Sequence, residues 1–202
     1  MSEFDACKTL ASAYCFIGNS LLKPMSQTGS IGLDQAFWDE FPCFGDEGVA
    51  RAVARVKGAA AALAAGSDPV QTASVEHAHL FAGPPHPAAA PWESYYLGGK
   101  QVKSGFGQPT FEMQALLREH GLEMSRSHAQ FADHIGIELL LLAELLNATA
   151  SSEQLDEADA FATAHPLRWI GDLRERVEEE LPGCYIAALL ELAQSLMLMQ
   201  VS

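Results

Sequence analysis

The chain has 202 residues, of which 49% are hydrophobic and 19% charged, enough to bury a core in one domain or in two small helical lobes. Its formal charge of −14 is unevenly spread: residues 133–202 hold 13 acids and three bases, residues 1–132 hold 13 acids and nine bases. A field of that sign repels nucleic acid and anionic lipid and attracts a basic peptide, although most acidic surfaces serve only solubility.

No secretory signal is read in residues 1–22, where Glu3, Asp5 and Lys8 are followed by mixed polar and apolar groups. The most apolar run, 135–146, is broken by Gly136, Glu138 and Glu144 and is shorter than the ~20 residues of a membrane span. The expectation is a cytoplasmic protein with no integral membrane contact. Cys7, Cys15, Cys43 and Cys184 form no Cys-x-x-Cys pair, so free thiols in a reducing compartment are expected.

In chain order, residues 4–22 carry Phe4, Cys7, Leu10, Ala11, Tyr14, Ile17 and Leu21 on one helical stripe, ended by Lys23-Pro24. A Ser- and Gly-rich loop to residue 32 follows. Asp34 caps a short helix stopped by Pro42, and residues 46–65 form an Ala-rich helix. Asp68-Pro69 starts a helix running to about Phe81. Residues 83–91 hold four of the ten prolines and read as an extended loop. Residues 98–107 form another flexible stretch. Thr110 then caps a helix to Gly121 with Met113, Leu116 and Leu117 inward. A polar connector near 125–131 is the expected hinge between an N-terminal lobe (1–124) and a C-terminal lobe (132–202). Asp133 begins the most apolar helix, Ser152 caps an acidic one, and 167–181 and 183–201 form the last two. No strand or internal repeat is read. The predicted fold class is all-α, a globular multi-helix bundle.

Enzyme motifs are scarce: there is no phosphate loop, no Gly-x-Ser-x-Gly and no His-Glu-x-x-His. His77 and His79 point to different helix faces and do not chelate together. His86 lies in the proline loop, His120 and His128 in polar contexts, and His165 beside the proline that closes a helix. No metal or cofactor is expected. Asp133 can cap the helix it begins, and Asn would then replace it readily; His134 and Glu138 lie four apart on one face. The three are either a cap with a buried polar pair or a polar hot spot in a groove. Leu80, Phe81, Trp92, Tyr95 and Tyr96 cluster around the proline loop, as a recognition pocket or as a plug over the core.

Four motifs occur in order: Leu80-Phe81-x-Gly83-Pro84, Pro91-Trp92-Glu93-Ser94-x-Tyr96-Leu97, Gly107-x-x-Thr110 and Asp133-His134-Ile135-Gly136-x-Glu138-Leu139. Together they resemble the TorD/DmsD family of redox-enzyme maturation chaperones, related to the NarJ type. His165-Pro166-Leu167-x-Trp169 is similar to the family's C-terminal segment. The resemblance implies a TorD-like all-helical domain with no enzyme activity. It implies binding of the basic twin-arginine signal peptide, or the apo form, of a molybdenum-cofactor reductase of DMSO/TMAO type in the cytoplasm, until cofactor is inserted. Carried over by position, the peptide site comprises Leu80, Phe81, Trp92, Tyr96, Asp133, His134 and Glu138. The chain departs from the family at Gln130-Phe131-Ala132, where Glu-Pro-x is usual, and at His77, a Trp in some relatives. The proline that would stiffen this approach and an acid that could meet an arginine are both missing. Two alternatives stand: a NarJ-like chaperone that grips the client's mature domain, and a metal- or nucleotide-dependent hydrolase built on Asp133 and His134. Monomer and domain-swapped dimer are both compatible with hinge-linked lobes.

Overall fold

A computed structural model describes residues 3–83, 85–98, 107–124 and 130–202. Residues 125–129 of the expected hinge, with His128, lie outside the described residues, as do Pro84 and most of the expected flexible stretch. Among the described residues every regular element is a helix, and the fold is the all-α bundle expected.

Helix α1 (Glu3–Leu22) buries Cys7, Leu10, Ala11, Tyr14, Ile17 and Leu21 of the stripe its spacing predicts, while Phe4, in its first turn, is exposed. After Lys23-Pro24 the expected loop holds a one-turn helix, α2 (Met25–Thr28), and a 3-10 turn, Ile31–Leu33. Three aspartates start the next three helices as the sequence predicts. Asp34 accepts from the Ala36 amide at 2.9 Å for α3 (Gln35–Asp39), and Asp46 from Val49 at 2.8 Å for α4 (Glu47–Ala64). Asp68 accepts from Gln71 at 3.1 Å for α5 (Pro69–Phe81), with proline in the first turn. Beyond the proline loop come α6 (Glu93–Leu97) and α7 (Gln108–Glu119), then α8 (Ile135–Ala148) and α9 (Ser152–Ala164). A 3-10 turn at Pro166–Arg168 leads into α10 (Ile170–Glu180) and α11 (Tyr185–Gln200).

Three expected caps move. Ser151, not Ser152, accepts from Gln154 at the start of α9. Thr110 lies inside the first turn of α7, with Gly107 at the cap position. His134, not Asp133, caps α8: its Nδ1 accepts from the Gly136 amide at 3.0 Å. Asp133 is thereby free to act on other parts of the chain.

The core forms around α8 and α11, which are buried along most of their length. Helix α1 lies along α8 and α4 lies along α11, so segments from both halves of the chain fill one core. Helices α1 and α8 cross at two glycines. A Cβ on Gly136 would stand 2.6 Å from the Gly18 carbonyl oxygen and 2.8 Å from Leu22 Cβ; one on Gly18 would stand 2.9 Å from the Gly136 oxygen. The backbones touch there because neither residue has a side chain. At the other end, Trp38 donates its indole N–H to the Gly32 carbonyl at 2.8 Å and packs edge-on with Phe16, Phe37 and Tyr185. On the surface Arg55 of α4 pairs with Glu178 and Glu191, pinning α10 and α11 to it. No helix among the described residues is long and apolar enough to cross a membrane.

The glycine crossing makes a paired prediction. Gly136→Ala lowers stability by about 1–3 kcal/mol, the usual cost of overpacking a tight contact. Gly58→Ala, at a site in α4 with no atom within 4 Å, raises stability by about 0.5–1 kcal/mol through helix propensity. Urea melts of both variants check this, and equal responses would contradict the close crossing.

Candidate functional site

The site forms where the proline loop returns to the bundle. The Ala88 and Ala89 amides donate to the carbonyls of His79 and Leu80, tying the loop to the end of α5. Residues 91–93 then run antiparallel to 133–135. The Glu93 amide donates to Asp133 O at 3.0 Å, the Ile135 amide donates to Pro91 O at 2.9 Å, and Trp92 pairs with His134 in an isolated bridge. Two short irregular segments, distant in sequence, thus satisfy each other's backbone.

Asp133 is the clasp of this junction. Its side chain is fully buried. One carboxylate oxygen accepts from the Ser94 amide at 2.9 Å, in the first turn of α6. The other accepts from the Thr110 hydroxyl at 2.9 Å, in the first turn of α7. Thr110 Oγ1 in turn accepts from the Gly107 amide at 3.3 Å. One carboxylate therefore joins the starts of α6 and α7 to the approach to α8. Both partners are remote in sequence, so the local motif does not reveal them.

His134 is also fully buried. Its Nδ1 accepts a hydrogen bond, which places the ring proton on Nε2, and Nε2 has no partner among the described residues. Burial, with the His77 ring nearby, pushes its pKa down to about 3, so the ring is neutral at physiological pH. His77 is held by its Nε2, which donates to the Leu21 carbonyl at 2.9 Å. Its ring meets Phe81 edge-on at 5.2 Å, and Phe81 meets His134 edge-on at 6.2 Å. Phe81 and its neighbour Leu80 are both buried.

Glu138 does not pair with His134. It accepts from the Trp169 indole N–H at 3.1 Å, and Glu93, also buried, accepts from His165 Nδ1 at 3.0 Å. Burial, and after it the neighbouring Glu93 carboxyl, pushes the Glu138 pKa well above the usual carboxylate range, against the opposing Trp169 donor. The His-Pro-Leu-x-Trp segment is thus anchored to α6 and α8 by two buried acids. Sequence reading treated Glu93, Thr110, His165 and Trp169 as motif landmarks. An acid beside a tryptophan at the end of a proline-rich loop was the available signal for Glu93.

Two aromatic side chains reach the surface from this frame. Trp92 is half-buried and meets Phe131 edge-on at 5.4 Å. Tyr96, also half-buried, stacks on the buried Trp169 at 5.4 Å with 26° between the rings. Exposed Tyr95 lies edge-on to Tyr96 at 5.2 Å. The Trp92 indole N–H and the Tyr96 hydroxyl have no partner among the described residues. The half-exposed faces of Trp92 and Tyr96 with exposed Tyr95, backed by a rigid buried frame, are suited to holding an apolar ligand.

These features define an all-helical scaffold with an aromatic surface built over a buried Asp-Glu-His frame. The chain belongs to the family described as nitrate reductase delta subunit, which it matches over residues 46–175, and which takes in the TorD- and NarJ-type chaperones its motifs resemble. It is 28% identical over 113 residues to the chaperone protein TorD of Shewanella pealeana, a stretch covering 54% of this chain and 49% of that one. The chain therefore spans about half the length of that curated relative.

Burial reverses what the sequence expects of Asp133→Asn. The Ser94 amide and the Thr110 hydroxyl both donate to Asp133, so an amide nitrogen in place of either carboxylate oxygen would face a group that now donates. Asp133→Asn and Thr110→Val each lower stability by about 1–3 kcal/mol, the cost of an unsatisfied buried group. Near-native melting of both would contradict the clasp. Glu138→Gln gives a pH signature. The folded-state pKa of Glu138 is raised above the unfolded value of about 4.3, so above that pH the folded state holds the extra proton and wild-type stability falls as pH rises. The glutamine variant lacks this loss. Its stability relative to wild type rises as pH is raised above the unfolded value in denaturant melts; a pH-independent difference would contradict the raised pKa.

Proposed function

We propose that this protein is a cytoplasmic chaperone for the maturation of a molybdenum-cofactor reductase of the DMSO/TMAO type. It binds the client's twin-arginine signal peptide or apo form, assists cofactor insertion and prevents premature export. Membership of the nitrate reductase delta subunit family carries this reading. The similarity to a TorD chaperone supports it.

In this reading the seven residues of the site divide by depth. Trp92 and Tyr96 present the half-exposed faces that meet the peptide's apolar part, and Leu80 and Phe81 back them. Asp133, His134 and Glu138 are fully buried and offer no atom to a peptide in this conformation. They serve the site by fixing the segment that carries the two aromatics. The arginines are steered by the acids of the C-terminal part, which carries 13 acids against three bases. The hydrolase alternative finds little support at Asp133, both of whose oxygens already accept from Ser94 and Thr110.

The same burial favours a second reading, a NarJ-like chaperone that grips the client's mature domain. Calorimetric titration of client with and without its N-terminal peptide separates the two. Signal recognition predicts loss of affinity on truncation; equal affinities would establish the second reading.

Two outcomes follow for a peptide of paired arginines and an apolar run. Affinity weakens as salt rises, because charges are screened over ~8 Å near physiological ionic strength; salt-independent affinity would remove the acidic surface from the account. Trp92→Ala weakens binding by about tenfold, or ~1.4 kcal/mol, while the protein still melts cooperatively. Simple unfolding of that variant would make Trp92 a core plug.

A further inference from the structure

Two cavities open along α1. The first, about 540 Å³, lies among α1, α2, α5 and the start of α11 and reaches Ser12, Phe16, His77 and Ile186. The second, about 400 Å³, lies between α1, α8 and the end of α7. Its floor is apolar, with Leu22, Leu117, Ile137, Leu140 and Leu141, and its lining includes Glu123 and Glu144, both exposed. Cys15, Asn19, Lys23 and Asn147 line both cavities, so the two form one continuous groove.

The groove follows from the glycine crossing. Gly18 and Gly136 bring the α1 and α8 backbones together at one point, and Leu140 lies against the same contact, half-exposed. The second cavity opens between these two helices and α7. Leu122, Met124 and Leu140 are half-exposed there beside the exposed acids, and leave a surface whose complement is apolar and basic.

We propose that this groove is the docking surface for a further apolar segment of a client peptide, beyond the part that meets Trp92 and Tyr96, with a basic side chain of that segment held by Glu123 and Glu144. The proposal rests on the chaperone reading and extends it away from the aromatic wall. The floor of the second cavity takes apolar side chains from a helical or extended segment, and the two acids of its lining take the basic group. Lys23, at the junction, disfavours a second basic group there.

Cys15 provides a reporter, because its thiol is exposed at the junction of the two cavities, while Cys7 is buried. The probe is a synthetic peptide of paired arginines followed by a leucine-rich run; its control has the run replaced by serine. Alkylation of each cysteine by iodoacetamide is followed by mass spectrometry on the full chain. With the probe at about ten times its Kd, alkylation of Cys15 slows about tenfold, as mass action requires. The serine control leaves it unchanged. The double variant Glu123→Lys, Glu144→Lys melts like the wild type, since both acids are exposed, and binds the probe about tenfold more weakly. Unchanged alkylation together with native affinity in the double variant overturns the groove, and leaves the chaperone reading intact if Trp92→Ala still weakens binding. Failure of the wild type to bind the probe overturns both. Slowing with protein concentration alone would assign the groove to a second copy. Resistance of Cys15 in the free, dilute protein would assign it to another segment of this chain. Either outcome overturns the proposal.

Discussion

A carboxylate withdrawn from water must find donors, and Asp133 finds them at the starts of two other helices. The proline loop cannot hold itself in place, because prolines lack the amide that a ladder or helix needs. Helix α6 has five residues and α7 twelve, and short helices do not persist alone in water. The buried acid supplies what local sequence lacks: a fixed point to which the Ser94 amide and the Thr110 hydroxyl both bind. Trp92 and Tyr96 take their positions from that point, as does the short bridge between Trp92 and His134.

A second constraint sets the scaffold beneath it. The contact of Gly18 with Gly136 lets α1 lie against α8, and His134, two residues earlier, caps α8. The segment carrying Asp133 is thus locked at both ends, to the loop on one side and to the core on the other. Glu93 and Glu138 extend the frame to His165 and Trp169, so Tyr96 rests on a ring that is itself held by hydrogen bonding. The frame is rigid and polar inside, while its outer surface is aromatic.

Local physics was legible in the sequence. The caps at Asp34 and Asp68, the stripe of α1 and the mostly apolar α8 depend on neighbours three or four residues away, and the fold class followed from them. The ordered motifs placed the site's segments in one family. The role of Asp133 was not legible, because its partners lie 39 and 23 residues away and a local cap was the nearer explanation. Glu138 was assigned to His134 by spacing, but Trp169 offered an indole donor from the far end of the chain. Helices α2 and α6 are too short for any period to show.

The account makes this frame the support of a surface that holds an unfinished reductase. The most direct measurement is the molybdenum content of a twin-arginine reductase from the same cell, purified after co-expression with this protein or without it. The account predicts clearly higher metal occupancy in the presence of the chaperone, and loss of that gain with Trp92→Ala at an equal level of folded protein. Equal occupancy with and without the protein would contradict it.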